Sequence, residues 1–278
     1  MSGIRIYTLE CGTVSLRPFF SDIKENRFSQ NRITFPNNAF LIEHPVHGLI
    51  LVDTGWSADC TSLLPKHLVS FYRPEIRPDQ TAKARLAALG IAPEDINLVL
   101  LTHLDADHTC ALKDFAGKCD RMACAELEYF YSCRTVYRLR QASDTWMPYA
   151  DKIEKIHYYG CSLGPAGRGF DLFGDDSILC IYTPGHTDGI FTTLISQEPS
   201  NRFNGSGDGV YGGDYAVIAS DVAFSVADID SNTIPGYGFD RKQQLNSIRF
   251  LKELRSDPRC KAILCSHEKR DTTEPCSI

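Results

Sequence analysis

His103-Leu104-Asp105-Ala106-Asp107-His108 is the stretch on which the reading of this chain turns. It packs four imidazole or carboxylate side chains into six residues, directly after the apolar run 97–101. Neutral imidazole and carboxylate both offer a lone pair to a divalent cation. Alternate residues of an extended segment point the same way, so His103 and Asp105 can share one cation. A turn into a helix then sends Asp107 and His108 toward a second position. Taken alone, such a loop also suits a helix cap facing water, the lesser of the two readings, because short motifs recur without function.

The remainder of the chain weighs against the cap. The run 97–101 reads as a buried strand, and three further strand-like runs share its plan. Residues 177–182 lead into Thr183-Pro184-Gly185-His186, 215–219 into Ser220-Asp221, and 261–265 into Ser266-His267. One histidine after a strand is usually a satisfied surface or core residue. Three metal-type side chains at three strand ends, added to the first cluster, make a set. Upstream, 4–9 predicts a first strand, and 39–43 with 49–52 a hairpin turning at Pro45-Val46-His47-Gly48. Residues 80–89 predict a helix stopped by Gly90. Asp240 caps a later helix whose Leu245, Ile248, Leu251 and Leu254 fall on one side. Strands alternating with helices predict α/β layers. The stretch 125–160 predicts a helical, aromatic-rich insert, and 199–213 a flexible connection.

A chain of 278 residues can bury one substantial core, and no linker demands a split, so 1–278 reads as a single domain. The net charge of -6, without a long Lys/Arg run, argues against a nucleic-acid partner, since phosphate binding needs a concentrated positive footprint. No apolar run approaches the ~20 residues of a membrane span. The start MSGIRIYTLE lacks the basic and apolar regions of a signal peptide. The 11 cysteines include no C-x-x-C pair and read as free thiols in a reducing cytoplasm, the expected location. Cys110 and Cys265, two residues from His108 and His267, read as buried inert thiols. His44 and His47 read as solvated residues at a turn. Phe19, Phe20, Phe71, Tyr72, Trp146 and Tyr149 are candidates for the wall of an apolar acyl pocket, although any core uses aromatics.

The order H-x-[H/D]-x-D-H, then Gly185-His186-Thr187, then Asp221 after a strand, then the late His267 resembles the metallo-β-lactamase superfamily, N-acyl homoserine lactonase-like branch. The likeness spans most of the chain. It implies an α/β fold, a four-layer αββα sandwich, holding two divalent metal ions, zinc foremost. His103, Asp105 and His186 would hold the first; Asp107, His108 and His267 the second; Asp221 would bridge both. Asp53, within Leu51-Val52-Asp53-Thr54-Gly55, would organise the loop and not ligate. The implied substrate is a small molecule with an acyl or lactone carbonyl. Water activated between the cations would open a lactone of the N-acyl homoserine type or cleave a related ester. Asp107 or Asp221 would pass the proton to the leaving group. A homodimer is compatible with this reading.

Two departures stand out. The family usually has His where this chain has Asp105. The extra carboxylate leaves the centre one positive charge where the usual version leaves two, and makes manganese or iron a candidate beside zinc. Asp105 therefore keeps an iron-dependent redox or thioester- or sulfur-processing enzyme as an alternative. Three residues after Asp221, lactonases carry a Tyr that helps hold the substrate carbonyl; here it is Phe224, which has no donor. Tyr182, Tyr211 and Tyr215 are candidate replacements, and a non-catalytic metal-binding module is the further alternative.

Overall fold

The apolar runs assemble into two sheets packed face to face. The computed structural model describes residues 3–17, 32–134, 137, 140–197, 213–236, 238–270 and 274–278. Among them, the first sheet has the order β13-β1-β2-β3-β4-β5-β6. Its strands are β1 (Arg5–Leu16), β2 (Ile33–His44), β3 (Gly48–Val52), β4 (Leu98–Leu101), β5 (Arg121–Ala125), β6 (Ile153–Ile156) and β13 (Cys276–Ser277). The second has the order β12-β11-β10-β9-β8-β7. It comprises β7 (Tyr159–Gly160), β8 (Arg168–Asp171), β9 (Ile178–Tyr182), β10 (Phe191–Ser196), β11 (Tyr215–Ser220) and β12 (Cys260–Cys265).

Period-two side-chain alternation gives each sheet an inner and an outer face. Ile6, Phe40, Ile42, Ile50, Val52, Leu98 and Leu100 of the first sheet meet Ile178, Cys180, Phe191, Ile195, Ala216 and Ile218 of the second. The outer faces are also apolar, so both need a helical cover. Leu41, Leu51, Val99 and Leu101 pack against Ala82 and Leu86 of helix Ala82–Ala88 and against Trp146. Leu179, Ile181, Val217 and Ala219 pack against Ile248, Leu251 and Leu254 of helix Arg241–Ser256. Each Val, Leu, Ile or Phe among them, fully buried, contributes about 1.5–3 kcal/mol. The result is the four-layer αββα arrangement.

The Asp240 cap forms: its side chain accepts from the Gln243 amide at 2.9 Å. The hairpin turns where expected, between β2 and β3. Two expectations need correction. The stretch 125–160 is helical only in part: helix Glu126–Ser132 and two short 3-10 turns give way to β6, which pairs in parallel with β5. His44 and His47 are not simply solvated. His44 is buried, and its Nδ1 accepts from the amides of Val46 and His47, closing the turn. The His47 ring stacks on Phe173 with centroids 3.7 Å apart. The connection 199–213 falls almost wholly outside the described residues.

Candidate metal centre

Parallel and mixed pairing brings the C-terminal ends of β4, β9, β11 and β12 to one edge of the sandwich, where loops must open. His103 and Asp105 follow β4, His186 follows β9, Asp221 follows β11, and His267 follows β12. Asp107 and His108 lie in the short helix Ala106–Thr109. All seven of these sequence-derived residues are buried at this one place.

They form two interlocking groups. His103, Asp105 and His186 offer nitrogen and oxygen atoms mutually within 4.8 Å, as do Asp107, His108, Asp221 and His267. Asp221 joins the two: its Oδ2 lies 3.1 Å from His267 Nε2 and 3.5 Å from His186 Nε2, while its Oδ1 lies 3.3 Å from His108 Nε2. Asp107 Oδ2 is 3.5 Å from His267 Nε2.

The neighbours of each ring set its orientation. Asp53 has φ of 60°, a left-handed conformation that aims its carboxylate into the loop. Its Oδ1 accepts from the Thr102 amide, and its Oδ2 accepts from Thr102 Oγ1 and pairs with His108 Nδ1, each at 2.8 Å. That is the organising role expected of it. His267 Nδ1 is 2.9 Å from the Pro36 carbonyl, and His103 Nδ1 is 3.0 Å from Thr102 Oγ1. With Nδ1 engaged, each Nε2 faces the centre as a lone-pair donor, the usual tuning of a metal-binding histidine.

Four atoms at the centre are buried with no hydrogen-bond partner among the described residues: His103 Nε2, Asp105 Oδ1, His108 Nε2 and Asp221 Oδ1. Buried polar atoms are costly to leave unmade, about 1–3 kcal/mol each. The donor set therefore fits a pair of divalent cations.

The protonation of this cluster is correspondingly distorted. Burial would push the Asp221 carboxyl up, but the His267 and His108 imidazoles hold it well below the usual range. Burial lifts Asp107 instead. Burial also lowers a histidine, and His103 sits well below its ordinary value, with His108 adding to the effect. In His108 and His267 that penalty is outweighed by carboxylates, Asp221 foremost, and both are raised.

Two contributors were not anticipated from the sequence. Glu128 is buried beneath the loops and accepts from the Leu104 amide, Thr187 Oγ1 and the Gly189 amide, tying the first metal loop to the His186 loop. Burial pushes its carboxyl up to about 7 against the pull of these donors. Arg140 is the other. Its Nε and Nη2 donate to Asp105 Oδ2 at 3.0 and 2.6 Å, and Nη1 donates to the His186 carbonyl at 2.9 Å. Burial would raise Asp105, but the Arg140 guanidinium holds that carboxyl well below the usual range. An added carboxylate in a buried site calls for a compensating cation, so Asp105 itself was the available signal.

A narrow cleft opens over the centre, lined by Val14, Leu16, Phe71, Tyr72 and Phe224 above the polar cluster. Phe71 and Tyr72 thus face it as the sequence suggested. Trp146 instead packs beneath the outer face of the first sheet, with Tyr149 beside it, and Phe19 and Phe20 lie outside the described residues. The Phe224 ring stands 4.5 Å from that of His267, centroid to centroid. Neither described tyrosine replaces its missing donor: Tyr182 donates to the Asp188 carbonyl and Tyr215 to the Leu254 carbonyl. Tyr211 lies outside the described residues. Cys110 and Cys265 are buried, and burial raises both thiols, as expected of inert ones.

Known proteins share this plan. The chain is 24% identical over 263 residues to the N-acyl homoserine lactonase AttM of Azorhizobium caulinodans, covering 91% of this chain and 89% of that one. It is also 24% identical over 229 residues to an N-acyl homoserine lactonase of Bacillus cereus, covering 81% and 78%. Its fold superposes with a TM-score of 0.74 on an N-acyl homoserine lactone hydrolase carrying the product N-hexanoyl-L-homoserine at its catalytic metal centre, at 19% identity over 99% of this chain and 100% of the other. AidC, a dizinc quorum-quenching lactonase with bound product, superposes at 0.63 and 16% identity, covering 100% and 95%. The metallo-beta-lactamase superfamily model matches residues 32–260, a span that runs from β2 through β11 and takes in six of the seven converging side chains, and the chain belongs to that superfamily.

Proposed function

We propose that the chain is a metal-dependent hydrolase that opens a lactone of the N-acyl homoserine type or cleaves a related ester. The observation that carries this reading is the convergence of seven buried imidazoles and carboxylates, four of whose atoms lack partners, beneath an apolar cleft. His103, Asp105 and His186 would hold one divalent cation and Asp107, His108 and His267 another, with Asp221 between them. Zinc is the leading occupant, and the harder donor set created by Asp105 admits manganese or iron. Bound there, the cations supply Lewis-acid polarisation of a carbonyl and bring the pKa of water toward about 7.

The chain's own residues do the rest. Val14, Leu16, Phe71, Tyr72 and Phe224 bind an acyl chain and exclude bulk water from the reacting carbonyl. Asp221, shared by both groups, fixes their separation. Asp107 or Asp221 takes the proton from the attacking water and returns it to the leaving alkoxide. The likeness in sequence to lactonases and the acyl-homoserine products bound by neighbours of the same fold support the substrate class.

Stripping the protein with a chelator, verifying metal absence by elemental analysis, and following ring opening of an N-acyl homoserine lactone in a pH-stat tests the proposal. Activity should fall by at least about 100-fold and return on adding zinc or manganese. Full activity in verified metal-free protein would overturn it.

A further inference from the structure

Arg140 reaches the centre and has no part in the hydrolytic scheme. Besides its two bonds to Asp105 Oδ2 and one to the His186 carbonyl, its Nη2 lies 2.7 Å from His186 Nε2. The Phe239 ring backs the guanidinium carbon at 4.7 Å. The side chain is only 7% exposed, so it is held there and not merely passing by.

The chemistry of these contacts is restrictive. A guanidinium has five donors and no acceptor, and an imidazole nitrogen has a single lone pair in the ring plane. His186 Nε2 lies 2.7 Å from Arg140 Nη2 and 3.2 Å from Asp105 Oδ2; a guanidinium can only donate, so the nitrogen accepts from Arg140 inside that ion pair and its lone pair is spent. It cannot ligate a cation in the same arrangement. Asp105 Oδ2, already taking two N–H groups, is engaged in the same way. The other histidines differ. His108, His267 and His103 each have Nδ1 engaged by a neighbour, while His186 Nδ1 has no partner among the described residues. The imidazoles of His108, His186 and His267 are the groups within 4 Å of the Asp107 and Asp221 carboxylates, so position two carries no comparable guanidinium contact among the described residues.

Building on the metal reading above, we propose that Arg140 and the cation of position one are alternative occupants of His186 Nε2, while Asp105 Oδ1, which has no partner among the described residues, stays open to the cation. Position two then fills first and tightly, and position one fills fully only when Arg140 swings off His186 Nε2. The Asp105–Arg140 pair is electrically equivalent to the single neutral histidine it stands in for, so the pair can persist without a cation at position one. Asp105 and the guanidinium are a matched set, and replacing either frees the position.

The test is metal stoichiometry and affinity, read without activity. Metal-free wild type, Arg140→Gln and Asp105→His are titrated with zinc by calorimetry, and metal retained after dialysis against a competing chelator is counted. Wild type should retain close to one zinc per chain, with the second bound at least about 10-fold more weakly. Arg140→Gln should tighten the second by at least about 10-fold and leave the first unchanged. Asp105→His removes the carboxylate that anchors the guanidinium, and should retain two. It supplies the answer if Arg140→Gln, with a buried carboxylate left unpaired, does not fold. Two equally tight zinc ions in wild type, or a second affinity that neither substitution changes, overturns the exclusion while leaving the metal reading intact. No zinc bound by any of the three overturns both.

Discussion

The two halves of the centre use the same residue types and are gripped in different ways. At position two, the Nδ1 atoms of His108 and His267 are engaged by Asp53 and the Pro36 carbonyl, and every inward-facing Nε2 looks at a carboxylate. At position one, His186 has nothing on Nδ1 among the described residues and a guanidinium on Nε2. The ligand letters alone would rank the sites alike. What separates them is the ring of outer contacts, which decides whether a lone pair is already spoken for.

The comparison can be broken most severely at the shared group. Asp221→Ala should lower lactone hydrolysis by at least about 10³-fold and empty both positions, because its carboxylate touches histidines of each. Turnover in a pH-stat together with zinc titration checks this, and wild-type affinity at either position would show that Asp221 is not shared. Asp53→Ala acts most directly on position two. It should weaken metal there by about 10- to 100-fold, measured by chelator competition, since His108 loses its Nδ1 partner outright, while His103 keeps Thr102 Oγ1, which loses its own anchor.

A change of pH sharpens the same contrast. His108 and His267 are raised by neighbouring carboxylates, so without metal they keep their protons to higher pH than a free imidazole. A cation at position two must displace those protons. Its apparent affinity should rise with pH and fall as pH drops, by about tenfold per unit for each proton released. His103, at position one, is lowered well below its ordinary value and has no proton to give up near neutrality. Calorimetry in buffers of different ionisation enthalpy would count the protons. The smallest effect belongs to the cleft: Phe224→Tyr adds a donor beside His267 and should raise kcat/KM for a lactone by about 3- to 10-fold, the worth of one hydrogen bond.

The frame and the seven converging groups were legible because they obey local rules. Apolar runs announce strands, and polar residues at strand ends announce loops that open at one edge. The outer contacts were less visible. Asp53 was found because it lies in a recognisable strand turn, but Arg140 and Glu128 sit in the 125–160 stretch, where no motif marks them and only the folded chain brings them under the loops. Strand β6 escaped notice because four residues of mixed polarity, Ile-Glu-Lys-Ile, carry too little periodicity to separate from a helix. The turn histidines misled for a related reason: burial by Phe173 comes from the other sheet's loops, far along the chain.

Anomalous scattering from crystals grown with zinc puts the account to its most direct trial. A strong peak bonded to Asp107, His108, Asp221 and His267 is the predicted result. A well-ordered map with those four side chains in place and no metal among them would contradict it.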